Sequence, residues 1–148
     1  MSNDKAKDTT IENNDEISQL SEEEKQKIAQ AQCDMGFCYC RGENVKKNYK
    51  KAVECWRKSA ELGNAIAQYF LGFSYETGEG VRKNQKKAFE WYRKAAEQNM
   101  PNALGFLGYC YEGGIGVKKN MTKAMEYYHK AAALGNTSIQ NYLAEIED

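Results

Sequence analysis

Apolar residues recur along this chain in two alternating helical patterns. Ala67, Leu71 and Tyr75 fall at i, i+4 and i+8 with Gly72 beside them, a stripe along a helix and not a strand alternation. Ala88, Trp91, Tyr92 and Ala96 form a second such stripe. Between them, Thr77-Gly78-Glu79-Gly80-Val81 interrupts the pattern: glycine closes a helix in the left-handed conformation, and Val81 offers an apolar anchor under the loop. Asn84 has the side chain and position of an N-cap. The pattern predicts a helix A, a short loop and a helix B.

This unit recurs every 36 residues without an insertion. Met35-Gly36, Leu71-Gly72 and Leu107-Gly108 superpose, as do Tyr39, Tyr75 and Tyr111, then Asn48, Asn84 and Asn120, then Ala52, Ala88 and Ala124. Val45, Val81 and Val117 share the loop position. In the first copy Asn44 replaces the second loop glycine, and asparagine tolerates the left-handed region, so the loop is expected to survive. Leu62-Gly63-Asn64, Leu134-Gly135-Asn136 and the Asn99 to Pro101 stretch read as exits from helix B. Gly36, Gly72 and Gly108, with Ala60, Ala96 and Ala132, let helices approach closely. No single copy can bury its own stripe, so the hairpins must stack.

The ends read as tail and cap. Residues 1–20 carry no sustained stripe and are expected to be an unstructured tail before a repeat domain of residues 21–148. Ser21-Glu22-Glu23-Glu24 is a capping-box pattern that starts an extended first helix running to Cys40. A partial fourth copy, residues 137–148, puts Leu143-Ala144 in the Leu-Gly place and serves as a capping helix.

The run Ala67-x-x-x-Leu71-Gly72-x-x-Tyr75-x-x-Gly78-x-Gly80-Val81-x-x-Asn84-x-x-Lys87-Ala88-x-x-Trp91-Tyr92-x-Lys94-Ala95-Ala96-Glu97 resembles the Sel1-like repeat, a relative of the tetratricopeptide repeat. The resemblance covers three copies, about residues 28–64, 65–100 and 101–136. It implies an all-α fold, a right-handed α-solenoid of helix-turn-helix units whose A helices line a concave groove. It also implies a protein-binding scaffold or adaptor without chemistry of its own. Some cysteine-rich members are described as penicillin-binding or β-lactamase-like, with a regular pair of bridged cysteines in each repeat. Here the second copy has no cysteine and the third only Cys110, so enzyme activity is a remote alternative.

Composition narrows the partner classes. Of 148 residues, 21 are basic and 21 acidic, so no net field implies nucleic acid or a membrane. Ten tyrosines and 11% aromatic residues give the chain enough apolar mass to collapse. Met1 to Thr10 contain no apolar run, and neither a secretory signal nor a membrane span is legible. Five cysteines, four of them within Cys33–Cys55, read as reduced thiols of a cytosolic protein.

Candidate chemistry is sparse, and no cofactor or metal is expected. His129 occupies the slot of Arg57 and Arg93, a charged and solvent-facing position with no nucleophile paired to it. Cys33 and Cys40 share a helix face but Cys38 points away from both, and no Cys-x-x-Cys spacing is present. Gly113-Gly114-Ile115-Gly116-Val117-Lys118-Lys119 follows no strand and lacks the Gly-Lys-Ser/Thr of a phosphate loop.

Two surfaces remain as candidates. Phe73 lies about 200° around the helix from Leu71, with Ile66 and Tyr69 near it, so helix A is apolar on a second side. Phe37, Phe73 and Tyr109, one per copy, are expected to form an aromatic ladder in the groove that docks a peptide or helix, with Glu76 and Glu112 adding polar selectivity. The bland alternative packs these rings between adjacent A helices. The second surface is a basic ridge: Lys46, Lys47, Lys50 and Lys51, then Arg82, Lys83, Lys86 and Lys87, then Lys118, Lys119 and Lys123. It suits an acidic protein, anionic lipid or nucleic acid, the last two being the weaker expectation. Lysines in the first turn of helix B oppose its macrodipole, so helix stability alone does not account for them. Glu54-Lys58, Glu90-Lys94 and Glu126-Lys130 are expected as i,i+4 ion pairs, and self-association is a third possibility.

Overall fold

The computed structural model describes residues 14–147. It contains eight helices among these residues and no strand: α1 (Asn14–Ser18), α2 (Glu22–Arg41), α3 (Tyr49–Glu61), α4 (Ala65–Thr77), α5 (Gln85–Glu97), α6 (Pro101–Gly113), α7 (Met121–Ala133) and α8 (Thr137–Ile146). Helices α2, α4, α6 and α8 are the A helices, and α3, α5 and α7 the B helices. The main contacts join each helix to the next in sequence, first within a hairpin and then from B to the following A. That is the neighbour-only packing of a solenoid. The expected unstructured tail lies outside the described residues up to position 13, while α1 occupies part of the remainder.

Six of the eight described helices start where a side chain satisfies a first free amide. Ser21 and Glu24 close the capping box of α2. Asn48, Asn84 and Asn120 accept from the backbone amides of Lys51, Lys87 and Lys123, each at 3.0 Å. Pro101 opens α6 without a side-chain cap, because its missing N–H is one of the unpaired donors there anyway. The A-to-B loops are held alike in all three copies, by the amides of Asn48, Asn84 and Asn120 donating to the carbonyls of Tyr39, Tyr75 and Tyr111. Asn44 and Asn99 adopt φ of 60° and 57°, the left-handed conformation expected of them.

The core follows the shared stripe. Ala52, Ala88 and Ala124 are fully buried, and so are Leu71 and, to within 1%, Leu107. One aromatic ring of each B helix packs against the glycine of its A helix: Trp56 against Gly36, Tyr92 against Gly72, Tyr128 against Gly108. A β-carbon at any of the three would press into that ring. The first copy differs because no B helix packs before α2 among the described residues. Met35, equivalent to Leu71, is 45% exposed, and Val45 is exposed where Val81 and Val117 are half-buried against the core.

All five cysteines are free thiols, with Cys33, Cys55 and Cys110 buried and Cys38 and Cys40 half-buried. Burial, helped by the Asp34 charge, pushes the Cys33 thiol up to about 11, and burial with Glu76 pushes Cys110 up to about 12. Iodoacetamide at pH 8 is therefore expected to modify Cys38 and Cys40 in the native protein. Cys33, Cys55 and Cys110 should react only after denaturant is added, and peptide mass spectrometry reads the order directly. Labelling of Cys110 in the first minutes would contradict the packing of α6.

Candidate partner-binding groove

The rings predicted as one ladder fall into different environments. Phe37 is half-buried, edge-on to Trp56 at 5.5 Å and to Phe70 at 4.8 Å. Tyr69 is wedged among Phe70, Tyr92 and Phe106. Ile66, Phe73 and Tyr109 stand out at 43%, 37% and 49% exposure. Phe73 joins no aromatic pair among the described residues, so Phe37, Phe73 and Tyr109 do not stack into a continuous ladder.

Besides Phe89 and Tyr111, which meet edge-on at 5.5 Å, the rings that link the copies are Phe70, Phe106 and Tyr142. Phe70 stacks on Trp56 at 5.3 Å, Phe106 on Tyr92 at 5.0 Å, and Tyr142 meets Tyr128 edge-on at 5.3 Å. In each case an A-helix ring covers the B-helix ring of the preceding copy. The signal was present as three aromatics 36 residues apart, but Asp34 holds that place in the first copy and masks it.

Glu76 and Glu112 are tied to the same layer. The Tyr92 hydroxyl donates to Glu76 at 2.6 Å. Glu112 accepts from two hydroxyls, Tyr128 on one oxygen and Tyr142, at 2.7 Å, on the other. The Tyr128 and Tyr142 bonds hold the Glu112 carboxyl below its usual range against the opposing effect of burial, and Lys119 adds a small push through space. Burial and then the bond to Glu112 raise the Tyr128 phenol. In the first copy Cys40 and Trp56 replace this pair, and the buried Trp56 Nε1 has no hydrogen-bond partner among the described residues.

An open pocket of about 480 Å³ lies beside Glu112, walled by Phe106, Tyr109, Tyr128, Tyr142 and Ile139. Its position between α6 and α8 has a local cause. Gly105 stands where Tyr69 stands one copy earlier, and at the α4–α6 junction Tyr69 fills the equivalent space against Tyr92 and Phe106.

All eleven residues of the basic ridge are exposed, and none forms an ion pair among the described residues. The windows are brought together by loop stacking: Gly80 packs on the backbone of Tyr49 and Lys50, and Gly116 on that of Gln85. One lysine at the same position of every copy has a structural role, and in the first copy Lys47 also sits over the Tyr49 ring at 4.9 Å. Lys51, Lys87 and Lys123 sit over the rings of Tyr39, Tyr75 and Tyr111 at 5.6, 5.4 and 5.4 Å, a cation–π contact that offsets the unfavourable dipole. The expected i,i+4 pairs of helix B do not form. Lys94 and Lys130 lie over Trp91 and Tyr127 instead, and Glu90 pairs with Arg93. His129 is exposed and 2.8 Å from Glu147.

The model of the Sel1 repeat matches residues 29–64, 65–100 and 101–136. The chain belongs to the Sel1 repeat family. Each Sel1 copy is one A–B hairpin of the structure, with its boundary at the B-to-A turn. Sel1 repeats are in general protein–protein interaction modules. A Sel1 repeat protein from Oxalobacter formigenes is 44% identical with a TM-score of 0.74, over 77% of this chain and 45% of that one. The protective antigen c5321 of uropathogenic Escherichia coli strains, with an SLR fold, is 35% identical with a TM-score of 0.78, over 82% of this chain and 26% of that one. The Helicobacter pylori cysteine rich protein B is 29% identical with a TM-score of 0.66, over 85% of this chain and 99% of that one. The chain thus spans less than half the length of the first two. No curated protein matches it. The all-helical repeat fold expected from the sequence is the fold these structures share with it.

Among the described residues no group of three or more His, Cys, Asp or Glu has the geometry to hold a metal ion. No described helix is long and apolar enough to cross a membrane.

Proposed function

We propose that this Sel1 chain is a non-enzymatic interaction scaffold that holds a peptide or short helix of a partner protein on the pocket-bearing side of its A helices. The observation that supports this most directly is the two-sided apolarity of α4 and α6. Leu71 and Leu107 on one side are buried, while Ile66, Phe73 and Tyr109 on the other are 37–49% exposed. The second set is only partly covered by the fold, and large apolar groups left exposed on one side suit a partner surface. We assign the scaffold to the cytosol, a reading that its five unbridged cysteines support.

The test is selection from a random-peptide display library. Ile66→Ala, Phe73→Ala and Tyr109→Ala combined should abolish enrichment while leaving the thermal midpoint close to wild type, since the three side chains are exposed. Phe37 is left out because it packs on Trp56 and Phe70 and its loss would unsettle the fold. Enrichment that survives the triple substitution but collapses in moderate salt would move the site to the basic ridge, whose stacked and unpaired lysines favour that second reading.

A further inference from the structure

The pocket between α6 and α8 combines two features that together select one ligand chemistry. Its walls are aromatic, from Phe106, Tyr109, Tyr128 and Tyr142, and its one charged lining group is the carboxylate of Glu112. Glu112 forms no ion pair among the described residues. It is also immobilised: each of its oxygens accepts one tyrosine hydroxyl, from Tyr128 and from Tyr142. A carboxylate oxygen has two lone-pair sites, so each retains one. Asn102 and Ser138, both exposed, line the pocket and supply further polar atoms.

We infer that this pocket receives the arginine side chain of a partner peptide. The guanidinium is planar, weakly hydrated and stacks on aromatic faces, which matches the walls. Its several N–H groups can donate to the lone-pair sites that Glu112 retains, on a carboxylate already held by two hydroxyls. A neutral apolar side chain would leave Glu112 shielded from water without a counter-charge, and an anionic one would meet it with repulsion. At about 480 Å³ the opening is within the range of ligand pockets and leaves room for backbone beside the side chain. Tyr109 is shared with the apolar row of α4 and α6, so a peptide lying on that row can reach the pocket with one residue.

The inference rests on the interaction-scaffold reading, and it is tested separately with N-acetyl-arginine methylamide as the probe, titrated into the full chain and followed by aromatic NMR resonances. The arginine probe should shift Phe106, Tyr109 and Tyr142, and its neutral isostere N-acetyl-citrulline methylamide should not. Glu112→Gln keeps one acceptor oxygen for a tyrosine hydroxyl, places an amide that can donate to the other, and removes the charge; it should weaken the arginine probe about tenfold, the difference between a charged and a neutral hydrogen-bonded pair. A melting curve for that variant confirms that the fold is retained. Equal shifts with citrulline, equal affinity for the lysine analogue, or unchanged affinity in Glu112→Gln would each overturn the assignment. If display-selected peptides bind equally to wild type and Glu112→Gln, the groove reading stands and the arginine pocket falls. If the arginine probe binds as described while no peptide is enriched, the pocket stands and the groove reading falls.

Discussion

Gly116→Ala should destabilise the chain by about 3 kcal/mol, while Gly114→Ala, two residues earlier in the same loop, should cost only about 1 kcal/mol. Both glycines have positive φ, 69° and 67°, so both substitutions carry the left-handed penalty of an L residue. The surroundings separate them. A β-carbon at Gly114 would come no closer than 3.6 Å to Lys119, an ordinary contact. At Gly116 it would collide with the Gln85 carbonyl and approach the Phe89 β-carbon at 3.0 Å. The obstacle is backbone of the preceding copy's B helix, which no rotamer change can move aside, so the second and third copies must separate locally. Urea unfolding of the two variants checks the difference. Equal losses would mean that the loop does not rest on the preceding copy as described.

Leu107→Ala is expected to cost about 3 kcal/mol, whereas Met35→Ala, at the equivalent place in the first copy, should cost less than about 1 kcal/mol. Leu107 is 1% exposed within the continuous core, and truncation leaves a cavity there that flanking helices close only in part. Met35 is 45% exposed because no B helix covers that face of α2 among the described residues. Identical pattern positions therefore carry unequal energies, and denaturant midpoints of the two variants measure the inequality. A comparable loss for Met35→Ala would show that α2 is covered in solution by something outside the described residues.

The helices, their caps and the loops were legible because each depends on a few consecutive residues. Ser21 with Glu24, the asparagines before each B helix, and Asn44 in the left-handed region are local choices that intrinsic backbone preferences decide. The candidate site was legible only in outline. Helical geometry placed Ile66, Phe73 and Tyr109 away from the buried stripe, and they are exposed. It could not separate them from Phe37 and Tyr69, which occupy the same side but are covered by rings of neighbouring helices. Phe70, Phe106 and Tyr142 went unread because their role is to cover a ring of another copy, a relation invisible within one helix.

The basic windows teach the same distinction from the side of charge. Their positions and exposure follow from the sequence, while the placement of Lys51, Lys87 and Lys123 over tyrosine rings depends on how helix B folds back on helix A. The sequence by itself determined the repeat, the helical hairpin and the family, since a 36-residue period of spaced apolar, glycine and asparagine positions admits one way to bury its stripes. Only the tertiary structure decided which copy has an open pocket and which carboxylate is held in it. Both depend on how successive A helices meet: Tyr69 of α4 fills the gap against α6, while Gly105 of α6 leaves it open against α8, from which Tyr142 reaches across to Glu112.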